Sequence, residues 1–185
     1  MNINWVLSNS AILDPTVDLG RMKELGSFWG GWKTWRACQT DNVLCHDIEQ
    51  ADRLIKKQFH QTCNFYIPNS MYVNLGRPAG VKLYQGDFVH DVYDHEDIVA
   101  MHLAAVNCDI VLLVGFDFSE PVKLEDKLAE HRAYNYRSLT KQVIVDNPQV
   151  QWLLIDHQKP LRKDLEHVPN LDQDDLKNVL ELSTN

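Results

Sequence analysis

The sequence predicts an α/β protein, a three-layer open and mainly parallel sheet of about six strands with helices on both faces, in one domain over residues 1–185. Three observations predict it. Short aliphatic and β-branched runs alternate with longer stretches of helical periodicity. Two of the runs, Ile110-Val111-Leu112-Leu113-Val114 and Trp152-Leu153-Leu154-Ile155, are apolar at every position, which suits strands covered on both sides rather than half-exposed ones. Stop and start signals separate the runs: Asp94 is a good N-cap for the stretch that leads into Ile110, and Asn147-Pro148 ends the helical stretch before Val150.

Taken in order, strands are expected at 3–8, 42–46, 64–67, 81–84, 110–116 and 150–155. Between the second and third, 49–59 carries Ala51, Leu54, Ile55 and Phe59 on one helical face and turns Glu49, Lys56 and Lys57 outward. The helix opening at Asp94 has Glu96 and Asp97 in its first turn, where acids complement the helix dipole, followed by Ile98, Met101, Leu103, Ala105 and Val106. The stretch 123–145 is helical in propensity, and 172–182 reads as a short amphipathic helix with acids at its start. Trp29, Trp32 and Trp35, three residues apart, read either as one buried helical stripe or as a lid or sugar-stacking surface, with Lys33 and Arg36 to meet an acidic group.

Composition excludes several classes. At 185 residues, 44% hydrophobic and 24% charged, the chain can build a core without staples. The longest apolar run, 110–118, is broken by Gly115 and Asp117 and falls short of the roughly 20 residues of a membrane span. With no basic, apolar leader at its start, a cytoplasmic location is expected. A net charge of −8 argues against double-stranded nucleic acid as a partner. Cys38, Cys45, Cys63 and Cys108 form no C-x-x-C pair and read as reduced core thiols, not as a zinc site. The G-x-x-x-x-G-K-[ST], G-x-G-x-x-G and G-x-S-x-G motifs are all missing, which removes the P-loop, dinucleotide and serine-hydrolase readings.

Ligands of open parallel sheets bind beyond the strands' carboxyl ends. Those ends are polar here: Ser8-Asn9-Ser10, His46-Asp47, Asn69-Ser70, Gln85-Gly86-Asp87, Gly115-Phe116-Asp117 and Asp156-His157. Ser8, Asn9, Ser10, Asp47, Asn69 and Asp117 are the candidate ligand-binding residues, against the plain alternative that chain leaving a sheet is polar because loops are solvated. On 123–145 one face reads Leu124, Leu128, His131, Asn135, Leu139 and Val143, with Tyr134, Tyr136, Arg132 and Arg137 beside the two polar members. That grouping offers a candidate general base and phenolic donors, and equally a hydrogen-bonded core histidine. The stretch 90–97 is rich in metal-compatible side chains without a recognised ligand spacing, and no metal is assigned to it.

Val6-Leu7-Ser8-Asn9-Ser10-Ala11-Ile12-Leu13 is similar to the first-strand G-N-G-P-S-L motif of the Rossmann-like bacterial sialyltransferases and the hydroxymethylpterin pyrophosphokinase-like proteins, and 96–118, ending Val114-Gly115-Phe116-Asp117-Phe118, resembles their later helix and strand ending in G-[FIV]-D. Ser8 and Ser10 stand where that first motif has glycines. The resemblance implies a glycosyltransferase-like protein that binds a nucleotide sugar, of cytidine type in the sialyltransferases, and needs no further cofactor. It makes Asn9 and Asp117 site residues, His131 the candidate base, and Tyr134 and Tyr136 candidate phosphate donors. Alternative readings are a relative that has lost activity, an ATP-dependent pyrophosphokinase-like enzyme, and a non-enzymatic binding or assembly module, with homo-oligomers among the expected states.

Overall fold

A computed structural model of the chain describes residues 1–8, 19–84, 96–119, 127–156 and 158–182, with the side chains of 127–133 left aside. The expected α/β architecture is present, with eight strands among the described residues instead of about six: β1 (Ile3–Leu7), β2 (Ser27–Gly31), β3 (Asn42–Leu44), β4 (Asn64–Pro68), β5 (Lys82–Tyr84), β6 (Ile110–Val114), β7 (Gln151–Ile155) and β8 (Leu171–Asp174). Their order is β5-β4-β3-β2-β1-β6-β7-β8, and every neighbouring pair runs parallel. The chain winds outward from β1 to β5 on one side, then returns to place β6 against the other side of β1. The carboxyl ends of β1 and β6 are therefore the switch point at which open α/β sheets form a crevice.

Seven α-helices cover the sheet among the described residues: α1 (Leu19–Leu25), α2 (Trp32–Cys38), α3 (Ile48–Lys56), α4 (Asn69–Asn74), α5 (Glu96–Ala104), α6 (Lys127–Asp146) and α7 (Leu176–Leu182). Strand side chains alternate in direction, so each strand feeds both faces. Val6, Leu44, Val111, Leu113, Trp152 and Leu154 pack beneath α5 and α6. Trp5, Leu7, Phe28, Leu112, Val114 and Ile155 pack on the opposite face with Met22 of α1 and Leu176 of α7. That same face continues over Val43, Cys45, Phe65 and Ile67 to Ala51 and Leu54 of α3 and Met71 of α4. Burying a large apolar side chain fully is worth about 2–3 kcal/mol, and Trp5, Trp152, Phe28, Phe65 and Phe118 are all fully buried. Gly26, between α1 and β2, is required by close approach: a Cβ there would sit 2.1 Å from the Ile3 carbonyl oxygen.

Two expectations are corrected. Trp29, Trp32 and Trp35 do not share one helix: Trp29 lies on β2 and packs towards α5, its ring 5.4 Å from that of Tyr66, while Trp32 and Trp35 lie on α2 at the other face. Gly30-Gly31 and a β-directed backbone interrupt what reads as a three-residue spacing. Residues 171–174 form the edge strand β8, not the start of a helix; its Asp172 and Gln173 are exposed, so it has no alternating apolar signal. The cysteines are unpaired as expected, three buried and Cys63 half-buried. No helix among the described residues is long and apolar enough to cross a membrane.

Candidate functional site

Ser8 follows β1 and continues its ladder, its N–H donating to the Val114 carbonyl at 3.0 Å. It is buried and points, like Val6 two residues earlier, towards α5 and α6. There it meets Tyr136, whose phenol shares hydrogen bonds with Ser8 and with Asp97. Asp97 belongs to the first turn of α5 and is only 6% exposed, an expensive place for a carboxylate unless it is hydrogen-bonded. Burial first, then the charge of Asp97 and its hydrogen bond, push the Tyr136 phenol well above its ordinary value, and the Ser8 hydroxyl opposes them only in part. Tyr136 is thus a permanently protonated donor, and a serine, a tyrosine and an aspartate are linked at the switch point.

Glu96 joins this group to a second one. Its Oε1 accepts the His46 N–H at 3.4 Å, and His46 Nδ1 shares a 2.6 Å hydrogen bond with the hydroxyl of Tyr84. His46 follows β3 and Tyr84 ends β5, on the same face as Leu44 and Ser8. The two rings meet edge to face, with centroids 5.8 Å apart. Burial and the nearby Glu96 carboxylate push the Cys45 thiol up to about 12, so it stays protonated and is no nucleophile. Because Glu96 and Asp97 are consecutive at the head of α5, one helix terminus sets both clusters along the carboxyl edge.

The flank of the crevice is built from the exit of β6. Gly115 takes φ +77°, a left-handed turn that a side chain would strain, and it redirects the chain into Phe116-Asp117-Phe118. Phe116 and Phe118 are buried, while Asp117 faces outward and is gripped at Oδ1 by the backbone N–H of Ser119 at 3.0 Å and by the Ser119 hydroxyl, and at Oδ2 by Lys159 at 3.0 Å. Its partial burial raises its carboxyl, but Ser119 and Lys159 together outweigh that and hold it well below the usual carboxylate range. Buried Arg162 secures the outer wall: its backbone N–H donates to the Phe118 carbonyl at 2.9 Å, its guanidinium donates to the Arg137 carbonyl at 3.1 Å, and it pairs with Asp164 at 3.2 Å.

The residues singled out from sequence divide sharply. Ser8 and Tyr136 come together, and Asp117 lies on the same edge as a fixed anion. Tyr134 is two residues from Tyr136, about 200° round the helix, and stands 67% exposed on the outer side. Asp47 caps α3, accepting the Gln50 N–H at 2.8 Å, and Asn69 is the exposed first residue of α4. His131 lies on α6, its side chain outside the described residues, as are Asn9, Ser10 and the 90–95 part of the ligand-rich stretch. Sequence reasoning missed Asp97, Glu96 and Tyr84, because acids in a first helical turn and a tyrosine in an apolar run already have structural explanations. Among the described residues no group of three or more His, Cys, Asp and Glu could hold a metal ion.

No protein-family model, curated protein or solved structure matches this chain.

Proposed function

We propose that the chain binds a nucleotide or nucleotide sugar in the crevice between the carboxyl ends of β1 and β6, and that it is a glycosyltransferase-like protein passing the glycosyl group to a hydroxyl acceptor. The observation that carries the reading is the Ser8–Tyr136–Asp97 group: three polar side chains gathered at a switch point, bonded to one another in a fold that needs none of them to pair its strands. The nucleotide-sugar class is favoured by the G-N-G-P-S-L-like and G-[FIV]-D-like segments, which contribute Ser8 and Asp117 to this same edge.

In this reading Asp97 accepts the Tyr136 O–H and so fixes the phenol, whose oxygen has room to accept from a ribose or sugar hydroxyl of the ligand. Ser8 and the His46–Tyr84 pair offer further hydroxyl and imidazole contacts suited to sugar or ribose hydroxyls. His131 remains the proposed base on α6. Thermal shift with CMP, CDP, UDP, GDP and ATP, each with and without Mg, tests the proposal. A metal-independent rise with a cytidine nucleotide supports the transferase-like class. A rise confined to ATP with Mg moves the protein to phosphoryl-transfer chemistry, and no rise with any of the five removes nucleotide binding altogether.

A further inference from the structure

The outer wall of the crevice carries positive charge that its own carboxylates do not balance. α6 ends at the amino edge, where Asn170 reaches the carbonyls of Ile144 and Asn147, so its earlier turns stand over the carboxyl edge and Tyr136 is level with Ser8. Arg137, the next residue, lies about 100° round the helix. It is on the side that the segment after β7 packs against: the Arg162 guanidinium donates to the Arg137 carbonyl at 3.1 Å, and Lys141, one turn on, pairs with Asp164 at 3.2 Å. Asp164 also takes the buried Arg162 at 3.2 Å, so one carboxylate already serves two cations, and Asp117, the other acid of this wall, is held by Lys159 and Ser119. Arg137 is half-buried, and its guanidinium has no partner among the described residues. Side chains of a helix lean towards its N-terminus, which directs Arg137 back towards the carboxyl edge. In a chain of net charge −8, two neighbouring guanidinium groups with one shared carboxylate between them and Lys141 are a local excess of positive charge.

We infer that Arg137, backed by Arg162, is the phosphate seat of the crevice, and that the ligand held there carries a phosphoryl or diphosphoryl group. The planar fork of a guanidinium matches two phosphate oxygens at once, and a second guanidinium behind it favours a group with more than one negative charge over a single carboxylate. The two sides of the crevice then differ in a way that fits one kind of molecule. On the α5 side Asp97, Tyr136 and Ser8 present oxygens suited to hydroxyl donors, while the wall of α6 and the segment after β7 presents cations. A ligand with sugar hydroxyls at one end and phosphate at the other meets both. This inference deepens the nucleotide reading and rests on it for the rest of the ligand, but the seat itself is tested with phosphate compounds alone.

The probes are inorganic pyrophosphate, CMP and cytidine, each titrated by calorimetry into the full chain without Mg. Pyrophosphate is expected to bind the parent, and CMP to bind tighter than cytidine. Arg137→Gln is expected to weaken pyrophosphate by about tenfold, the value of a hydrogen bond between charged groups, and to close most of the gap between CMP and cytidine. It keeps the backbone carbonyl that Arg162 uses, so the unfolding midpoint is expected to stay where it is. Arg137→Lys, which keeps the charge and loses the fork, is expected to fall between the two. Arg36→Gln, which removes an exposed guanidinium stacked on Trp32 in α2, is expected to change nothing. Pyrophosphate binding that Arg137→Gln leaves undiminished, or that is lost equally in Arg36→Gln, would overturn the inference, as would no binding at millimolar pyrophosphate. The two readings fail separately: nucleotide binding that survives intact in Arg137→Gln removes the seat and keeps the nucleotide, whereas Arg137-dependent pyrophosphate binding without any response to CMP keeps the seat and removes the cytidine nucleotide.

Discussion

The two edges of the central strands use polar side chains differently. At the amino edge beside β1, β6 and β7, side chains bond to backbone: Asn4 Nδ2 donates to the Ala104 carbonyl at 2.7 Å, Asn2 Nδ2 to the Asn107 carbonyl at 3.2 Å, and Asn170 Nδ2 reaches the carbonyls of Ile144, Asn147 and Val150 within 3.3 Å. These bonds satisfy turn and helix-end carbonyls that would otherwise be orphaned, and they close the structure. At the carboxyl edge Glu96 and Asp117 also accept backbone N–H groups, but a further set of side chains bond to one another: Ser8 to Tyr136, Tyr136 to Asp97, Tyr84 to His46. Such bonds join the end of β1 to α5 and α6, and β5 to the end of β3, and they keep an aspartate buried. A polar group that repairs the backbone is explained by folding; side chains that bond one another at a switch point lie where a ligand of an open sheet is expected.

That contrast breaks most directly at Asn170. Asn170→Ala should cost about 2–3 kcal/mol in urea unfolding, because three part-buried carbonyls lose their donor at once, and should leave any nucleotide-induced thermal shift unchanged. Tyr136→Phe should cost less, about 1–2 kcal/mol, since Asp97 retains the head of α5 but loses one donor; its larger effect should be the loss of the ligand response. If Asn170→Ala instead erased the ligand shift, the division between a closing edge and a binding edge would fail.

How far the sequence foretold this division depends on the kind of signal. β1, β4, β6 and β7 are apolar runs and were readable as strands, because burial on both faces leaves no alternation to confuse. Ser27-Phe28-Trp29-Gly30-Gly31 hid β2, since two glycines are depleted in strands and the tryptophans mimic a helical spacing; Leu171-Asp172-Gln173-Asp174 hid β8 for want of apolar residues. In the site, Ser8 and Asp117 were legible from their place at strand ends, and Tyr136 from its neighbourhood on α6. Asp97 was not, because its role depends on which helix crosses behind it. The buried face of α6 runs through Tyr136, Leu139, Thr140, Val143 and Ile144, so Tyr136 and not Tyr134 meets the sheet.

Smaller effects sharpen the same contrast. Asp117 is held low by Ser119 and Lys159, so it adds stability in full above its ordinary value of 3.8 and loses it progressively as pH falls below that, because the unfolded chain takes up the proton first. Its side chain is 56% exposed, so solvent screening keeps the effect under about 1 kcal/mol. Thermal midpoints between about pH 5 and pH 3 should therefore fall slightly less steeply in Asp117→Asn than in the parent, and identical slopes would contradict the assignment. Chemical reactivity should change least. With Cys45 raised to about 12 and Cys63 to about 11, both chiefly by burial, iodoacetamide at neutral pH should label neither appreciably in the folded chain and both on denaturation, read by mass spectrometry.

The central claim is that the self-bonded network at the carboxyl edge exists to hold a ligand, and a paired titration tests it: parent and Tyr136→Phe, side by side, with the nucleotide that gives the largest thermal shift. At a concentration of 100 dissociation constants the parent should gain roughly 2.7 kcal/mol of stability while the variant, still folded, gains little or none. A variant that responds as strongly as the parent would show that the ligand binds elsewhere and that Ser8, Tyr136 and Asp97 serve only the fold.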